Sequence, residues 1–365
     1  MRILYVIHNL VIGGAETVVV NYVLNLKERG EDVALLELSH KETFLAKKIR
    51  EHDVPYYTLF DDRWYNKVIR RVNHCYTLSH FNKALKDITP DVIHFHTVFY
   101  GMDKINFPIN QCVFTFHSRV KRNFASARYR KPLMDRLVAK DIMLVAISSE
   151  IEKDINLYFK NAKSIIISNG LDLEEIRSKK TSKKVLCDEL MIPKDSFLIG
   201  QVGRFHPVKN HSFTIELFSY IIRNYPNTYL LFVGTGNAKE LQFIKKRIQE
   251  LGLQNNIKLL GLRSDATSIM SCLDVLLMPS KSEALPLVMI EAQALGIRSV
   301  VSDSIPEDVI CNTNCFRLSL DAPVDEWVSL VMGKSERKYS REIEDFGINR
   351  IIDKHLDVYK RITTE

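Results

Sequence analysis

The chain alternates between short apolar runs and longer amphipathic segments. In its first half the apolar runs are rich in branched residues, and apolar residues between them recur with the 3.6-residue period of a helix, as in Glu16–Arg29 and Lys41–Glu51. Continuous apolar runs separated by helices are typical of a parallel sheet covered on both faces. The pattern predicts strands at Ile3–Ile7, Asp32–Leu38, Asp91–His96, Cys112–His117, Met143–Ser148 and Ser164–Ser168.

The same pattern starts again after a polar, lysine-rich passage, Ser178–Lys184. A restart after such a passage indicates a domain boundary, here near residues 173–195. Strands are predicted at Phe197–Val202, Tyr229–Val233, Ile257–Leu260, Val275–Met278 and Ser299–Ser302. Helices are predicted between them, at Ser212–Asn224, Ala238–Leu251, Asp265–Cys272 and Leu287–Leu295.

We therefore expect an α/β protein of two Rossmann-like, doubly wound domains, 1–175 and 190–345, facing each other across a cleft. Ligands of such sheets bind beyond the carboxyl ends of the strands, so the cleft is the expected site. Residues 341–365 also keep a helical period. A helix at about 346–365 is expected to pack back on the body of the protein, against the N-terminal domain 1–175.

Composition narrows the class of protein. Of 365 residues, 46% are hydrophobic and 26% are charged, a composition that excludes disordered and fibrous proteins. The sequence contains no run of eighteen apolar residues, so no membrane-spanning helix is predicted. The six cysteines are scattered and are interpreted as reduced thiols of a cytoplasmic protein.

The net charge of +7 is concentrated in Arg63–Val72 and Arg119–Lys140, where basic residues stand beside aromatic and aliphatic ones. This pattern suits peripheral contact with an anionic membrane at its inner face, or simply a solvated helix face. Nucleic acid is disfavoured as a partner, because no recognition module accompanies the charge.

Two glycine-rich turns follow predicted strands. Gly13-Gly14-Ala15-Glu16 leads into a helix, where glycine lets the backbone approach a ligand and the helix start offers free N–H groups to an anion. A tight turn with no ligand is the alternative. Gly234-Thr235-Gly236 lacks the third glycine of a dinucleotide-binding loop and is weak evidence for a nicotinamide cofactor.

Charged residues follow two strands of the second half. Arg204 and Lys209 lie on one loop, and two cations there can neutralise a diphosphate. Glu283 lies on the other loop, before a helix that begins near Leu287 and carries Glu291. The amides of Leu287 and Val288 would be free to hold phosphate oxygens. Solvated cations and ordinary helix carboxylates are the alternatives.

Together these segments resemble the retaining GT-B glycosyltransferases of family 4, group 1 type, including those that build bacterial surface polysaccharides. The resemblance extends over nearly the whole chain. It is carried by the two glutamates eight residues apart (Glu283 and Glu291), by Gly203–Asn210 and by the N-terminal glycine turn, with further similar pieces at Asp91–His96, Thr115–His117, Ile167–Asp172 and Val233–Gly236.

The resemblance implies a role for each residue of the site. Arg204 and Lys209 would clamp the diphosphate, Glu291 would bind the ribose, and Glu283 would contact the donor sugar. Three further positions are implied: Gly14 on the phosphate side of the first domain, His117 at the reaction centre, and Leu262–Arg263 beside the base. Asn169 and Asp172 would organise a hinge, and at least one of His94 and His96 is expected to be packed under the sheet.

The expected reaction needs no metal or other cofactor. Arg204, Lys209 and the helix amides can stabilise the departing diphosphate, and the sequence has no Asp-x-Asp triplet. Retention would follow from same-face attack, with a covalent intermediate on Glu283 as the alternative. The donor is expected to be a nucleotide diphosphate-sugar, UDP preferred over GDP, that carries a hexose or an N-acetylhexosamine. The acceptor is expected to be a glycan or an undecaprenyl-type lipid-linked molecule.

Three other functions fit parts of the sequence. A nucleotide-sugar epimerase would share the architecture and the ligand class, but it needs an acid/base set in the first domain that the sequence does not clearly show. A non-catalytic nucleotide-sugar-binding protein would not need both cations and both glutamates. An NAD-dependent oxidoreductase would rest on Gly234–Gly236 alone.

Overall fold

A computed structural model describes residues 1–11, 13–61, 74–121, 129–334 and 336–364. The chain divides into two compact units. The first contains Met1–Leu171 together with Gly347–Glu365, and the second contains Asp172–Phe346. Each unit is an α/β sandwich around its own parallel sheet, as the alternating pattern predicts.

Within its described residues the first unit has a sheet in the order β3-β2-β1-β4-β5-β6-β7, with all neighbours parallel. The strands are β1 Arg2–Ile7, β2 Asp32–Glu37, β3 Tyr56–Thr58, β4 Val92–Phe95, β5 Cys112–Phe116, β6 Met143–Ala146 and β7 Ser164–Ile166. The helices are Gly14–Glu28, Phe44–Glu51, His74–Ile88, Arg130–Val138, Ser149–Tyr158 and Ile348–Thr364, with short 3-10 helices at Met102–Lys104 and Ile109–Gln111.

The second unit has the order β10-β9-β8-β11-β12-β13, again with parallel neighbours. Its strands are β8 Phe197–Val202, β9 Thr228–Val233, β10 Ile257–Gly261, β11 Val275–Met278, β12 Ser299–Ser302 and β13 Cys315–Leu318. Its helices are Leu173–Ser178, Lys183–Leu190, His211–Asn224, Ala238–Glu250, Ala266–Ser271, Leu287–Ala294 and Val324–Val331, with 3-10 helices at Pro207–Lys209, Glu307–Val309 and Arg341–Phe346.

The lysine-rich passage Ser178–Lys184 lies inside the second unit, where it joins two helices. Asp172 begins the first of them, since its carboxylate accepts a hydrogen bond from Glu175 N at 2.8 Å and so caps the helix. The hinge role of Asp172 and of the buried Asn169 stays a prediction.

The helix Ile348–Thr364, called here the C-terminal helix, belongs to the first unit. One of its faces is buried, and its Tyr359 hydroxyl lies 2.9 Å from the Tyr5 hydroxyl on β1. Gly170 permits the close approach, because a Cβ there would lie 2.9 Å from Ile351 Cβ. The helical period of residues 341–365 thus corresponds to this helix and to a 3-10 helix, Arg341–Phe346, that precedes it.

Candidate active site

In the second unit the strand order reverses between β8 and β11, the position at which parallel α/β sheets bind ligands. The loops that follow these two strands meet there, and Lys281 N donates to Val208 O at 2.8 Å. Arg204 and Lys209 are on the first loop and Glu283 is on the second. The structure therefore brings together segments that the sequence separates by more than seventy residues.

Lys209 and Glu283 form an ion pair. Lys209 Nζ lies 2.7 Å from Glu283 Oε1, and the two side chains are 22% and 13% exposed. The contact is close but poorly aligned as a hydrogen bond, so the buried Oε1 has no aligned donor among the described residues. A ligand that offers an anion to Lys209 and a hydroxyl to Glu283 would satisfy both groups better than they satisfy each other.

Arg204 differs from Lys209. Its side chain is exposed, and it makes no ion pair with a residue that the structure describes. Its backbone position is nevertheless fixed, because the next residue, Phe205, is buried and its N donates to Thr235 O at 2.8 Å. Arg204 is thus an exposed cation on a loop that a backbone hydrogen bond holds in place.

The glycines of Gly234-Thr235-Gly236 have a packing function. Gly203 and Gly234 have φ values of 142° and 138°, in the region that favours glycine. A Cβ on Gly234 would collide with Gly203 O, and a Cβ on Gly236 would collide with Phe205 O. These glycines let two loops pack backbone to backbone, which removes the support that they gave to a nicotinamide cofactor.

The helix Leu287–Ala294 begins after Pro286, an N-cap residue whose side chain offers no hydrogen bond to the start of the helix. The half-buried Leu287 and Val288 are its first two residues, so their amides lack partners within the helix. One turn later, burial raises the pKa of the half-buried Glu291 to about 7, against a smaller opposing effect of the Lys179 charge. A carboxylate with this pKa changes its charge near neutral pH.

Arg263 lies in the loop after β10, and its guanidinium is bound by two carboxylates. Its Nε and Nη2 each lie 2.7 Å from an oxygen of Asp265, and its Nη1 lies 2.6 Å from Glu189 Oε1. These contacts raise the pKa of Arg263. The guanidinium therefore holds the loop, while the neighbouring Leu262 is exposed. A role for this loop beside a nucleotide base stays a prediction.

Sequence reasoning missed three buried polar residues near these loops. Gln201 Oε1 and Ser280 Oγ have no hydrogen-bond partner among the described residues. The same is true of both ring nitrogens of His211, whose pKa burial lowers to about 4. Buried polar groups are normally paired, so unpaired ones at a strand end indicate a place for a ligand or for water. Their positions just inside the two loops were the only signal in the sequence.

In the first unit, Gly14 begins the helix that follows β1, after Gly13 as the N-cap residue. Gly13 has no side chain with which to cap this end, and the carboxylate of Glu16 folds back against Gly13. The preceding loop is held by the fully buried Glu37, whose Oε1 accepts from Leu10 N at 2.9 Å. The glycine turn is thus anchored from β2.

His117 follows β5 and is half-buried. Its Nε2 lies 2.7 Å from Nδ1 of His96, the residue after β4, and burial lowers the pKa of His117 to about 4. His94 is fully buried, with its ring nitrogens 2.6 Å from Tyr359 Oη and 2.7 Å from Thr115 Oγ1. His94 is therefore the histidine packed under the sheet, as expected for one of the pair.

The two basic stretches give a mixed result. Residues 63–72 lie outside the described residues, as do Arg122 and Arg128. In the rest of the second stretch, Arg119 pairs with Asp154 and Glu150, Arg136 with Asp103, and Lys131 with Asp135. Much of its positive charge is therefore neutralised within the unit.

Two further observations concern metals and membranes. In the parts of the chain that the structure describes, no three His, Cys, Asp or Glu side chains are grouped as metal ligands would be. Among the same residues, no helix combines the length and the apolar character that a bilayer-spanning segment needs.

Comparison with known proteins agrees with this architecture. Residues 12–175 match the model of Glycosyltransferase Family 4, and residues 183–318 match that of Glycosyl transferases group 1. HepE of Anabaena, solved in complex with UDP and glucose, superimposes with a TM-score of 0.79 and 16% identity, over 99% of this chain and 100% of HepE.

Two curated relatives are enzymes of bacterial glycan synthesis. The Escherichia coli UDP-Gal:alpha-D-GlcNAc-diphosphoundecaprenol alpha-1,3-galactosyltransferase is 29% identical over 217 residues, 56% of this chain and 55% of that enzyme. The Staphylococcus aureus capsular polysaccharide biosynthesis glycosyltransferase CapH is 25% identical over 297 residues, 76% of this chain and 79% of CapH. The chain spans about half the length of the galactosyltransferase. It belongs to the glycosyltransferases of the GT-B fold, with a family 4 unit followed by a group 1 unit.

Proposed function

We propose that the protein is a retaining, metal-independent glycosyltransferase that moves a hexose or an N-acetylhexosamine from a nucleotide diphosphate-sugar to a glycan or lipid-linked acceptor. The observation that carries this proposal is the half-buried Lys209–Glu283 pair, which lies with Arg204 at the strand-order reversal of the second unit. The two cations and the amides at the start of the helix Leu287–Ala294 can bind the phosphate oxygens of a sugar diphosphate. The carboxylate of Glu283 can accept hydrogen bonds from the hydroxyls of its sugar.

Each group has a distinct task in this reaction. Breaking the bond between the sugar and the diphosphate builds negative charge on the departing phosphate, which Arg204 and Lys209 neutralise and the amides of Leu287 and Val288 hydrogen-bond. Glu283 accepts hydrogen bonds from the donor-sugar hydroxyls once Lys209 has turned to the phosphate. Because side chains of the protein supply the positive charge, EDTA should leave turnover unchanged, whereas a strict requirement for a divalent metal would contradict the proposal.

Retention is assigned to same-face attack, in which the departing phosphate accepts the proton of the acceptor hydroxyl. Glu283 is a poor nucleophile in this structure, because its carboxylate faces an ammonium group at 2.7 Å. Mass spectrometry of the wild-type enzyme quenched during turnover should therefore show no glycosyl adduct. A covalent adduct on Glu283, absent from Glu283→Gln, would instead establish the two-step route.

UDP is proposed as the nucleotide of the donor. The support comes from relatives, since HepE was solved with UDP and glucose and the Escherichia coli relative is named for UDP-Gal. A thermal-shift panel of UDP- and GDP-sugars tests the assignment, because a ligand that binds only the folded state raises the melting temperature. Larger shifts with GDP-sugars would reverse it.

The acceptor is proposed to be an undecaprenyl-type lipid-linked sugar or a growing glycan of a capsule or another surface polysaccharide, used at the cytoplasmic face of the membrane. The support is that the galactosyltransferase relative is named for a diphosphoundecaprenol acceptor and CapH for capsular polysaccharide. Peripheral membrane contact is part of this proposal. Sedimentation with vesicles of anionic and of neutral lipids tests it, and equal binding to both would contradict it.

A further inference from the structure

The β4 and β5 strands carry a ladder of polar side chains on one face of the first sheet. The pairing of His94 with Val113 and of Phe95 with Phe114 sets the register of the two strands. Two hydrogen bonds between side chains follow from it, each spanning 21 residues: His94 with Thr115, and His96 with His117. The first is fully buried, and the second joins two half-buried residues at the carboxyl end of the strands.

Neighbouring aromatic rings hold the His96 side chain of this ladder in place. The His96 ring is stacked nearly parallel to Tyr5, at 5.4 Å between centroids and 10° between planes, and it lies 4.2 Å from the His94 ring. His94 is itself fixed at both nitrogens by Tyr359 and Thr115. His117 has no comparable support, because the bond to His96 is the one hydrogen bond that its side chain makes to the described residues.

Either His96 or His117 can donate the N–H of the hydrogen bond that joins them. Burial lowers the pKa of both rings, so both are neutral at pH 7 and each carries a single N–H. If Nε2 of His117 donates to Nδ1 of His96, then Nδ1 of His117 is left with a lone pair. If the bond runs the other way, Nδ1 of His117 carries the proton. The first arrangement places the proton of each ring on Nε2, the tautomer that free histidine prefers.

The nitrogens at the two ends of this pair are unsatisfied. His96 Nε2 and His117 Nδ1 are buried, and neither has a hydrogen-bond partner among the described residues. A buried polar atom without a hydrogen-bond partner destabilises the folded state. Such an atom at the end of a strand indicates that a ligand group completes the bond, and a sugar hydroxyl, which both donates and accepts, fits a neutral imidazole.

We propose that His96 is a positioning residue for His117: it holds the ring and the Nε2–H tautomer of His117, so that Nδ1 of His117 accepts a hydrogen bond from a substrate hydroxyl. This rests on the proposed function only for the identity of the hydroxyl. The ladder and the C-terminal helix, through Tyr359, set the orientation of His96.

The tautomer can be measured without any substrate. In protein labelled with ¹⁵N-histidine, at neutral pH, the ring nitrogens of wild-type His117 should show one tautomer with the proton on Nε2. His96→Leu should convert this to a mixture of tautomers. His96→Asn should keep the single tautomer, because its side-chain oxygen lies near the former Nδ1 and still accepts. An unchanged His117 spectrum in His96→Leu would overturn the proposal.

His355→Leu is the matched control for this measurement. His355 is buried in the same cluster, with its ring 5.2 Å from that of His94, but it forms no hydrogen bond to His117. Its replacement removes a buried imidazole from the cluster while leaving the His96–His117 bond intact, so the His117 tautomer should not change. A tautomer mixture in this variant as well would show that general packing, and not His96, controls the ring.

Kinetics then separate positioning from simple structural support. With the donor that gives the largest thermal shift, His96→Leu should lower kcat about 10- to 100-fold, with the donor KM and the UDP-induced shift of the melting temperature unchanged. The double variant with His117→Ala should be no slower than His117→Ala alone. Additive losses would contradict positioning. Since the tautomer measurement needs no turnover, it decides the proposal even if the glycosyltransferase assignment fails.

Discussion

The two units place different kinds of side chain at the carboxyl ends of their parallel strands. The second unit presents charge: Lys209 and Glu283 are paired and half-buried, and Arg204 is exposed beside them. The first unit presents neutral groups, because burial lowers the pKa of His96 and His117 and keeps both rings uncharged. One hydrogen bond joins the two rings. One set of groups is suited to a diphosphate and the other to hydroxyl groups, although both lie at the carboxyl ends of parallel strands.

The largest expected effect tests the charged side of this comparison. Lys209→Ala should lower kcat/KM about 10²- to 10³-fold, because a cation at the departing phosphate is lost. It should also cost about 1–2 kcal/mol of folding free energy, since Glu283 keeps a half-buried charge without its partner. Lys281→Ala, on the neighbouring loop and exposed, is the control and should match wild type in steady-state kinetics and in urea unfolding.

Arg204→Ala should come next, with a loss of about 10²-fold in kcat/KM and almost no change in stability. The stability is insensitive because the guanidinium is exposed and has no ion-pair partner among the described residues. Arg204→Lys should recover part of the activity, since the charge returns without the planar fork. Near-normal kinetics in both Arg204→Ala and Lys209→Ala would refute the assignment of the diphosphate.

Glu291→Gln tests the charged second unit further, because it removes a carboxylate whose charged form is disfavoured by burial. The pKa of Glu291 is raised to about 7 in the folded chain, against an ordinary value of 4.5, so the folded state loses stability as pH rises from about 4.5 to about 7. The variant should therefore be more stable than wild type at pH 8, by about 1–2 kcal/mol, and no different near pH 4.

The same substitution should weaken donor binding about tenfold, because a carboxylate accepts ribose hydroxyls more strongly than an amide. Wild-type affinity should fall as pH drops below about 7, when Glu291 is protonated, whereas the affinity of the variant should not. Titration calorimetry with UDP at pH 6 and pH 8 measures both. A pH-independent wild type would remove Glu291 from the nucleotide site.

The smallest effect is expected at Arg263. Its guanidinium already holds Asp265 and Glu189, so Arg263→Ala should change the donor KM less than about threefold and stability by at most about 1 kcal/mol. Asp265→Asn is the matched partner variant and should behave alike. A tenfold increase in KM for Arg263→Ala, but not for Asp265→Asn, would show that the guanidinium contacts the nucleotide itself.

The sequence predicted where the candidate residues lie relative to strands and helices better than it predicted their contacts. Strand ends and helix starts follow from local patterns, which is why the loops with Arg204 and Glu283 were found. Two edge strands, Tyr56–Thr58 and Cys315–Leu318, were missed, since their exposed or half-buried residues lack the apolar run of a central strand. The His96–His117 bond depends on the register of β4 and β5, which no local pattern specifies.

The longest-range contacts were beyond sequence reasoning for the same reason. His94 and Tyr359 are separated by 265 residues, and their bond exists only because the C-terminal helix returns to the first unit. The burial of Gln201, Ser280 and His211 is likewise a property of the packed unit, because nothing in their neighbours marks them as unsatisfied.

The return of the C-terminal helix has a consequence for biosynthesis. The first unit is made of two segments, and the whole second unit, Asp172–Phe346, is translated between them. At about 5–20 residues per second the ribosome needs roughly 10–35 s for that stretch. During this time Tyr5 and His94 have no Tyr359 to bond, and the face that the helix covers is open to water. The first unit begins to be synthesised before the second and is completed after it, so a fragment that ends at Leu171 should depend on chaperones.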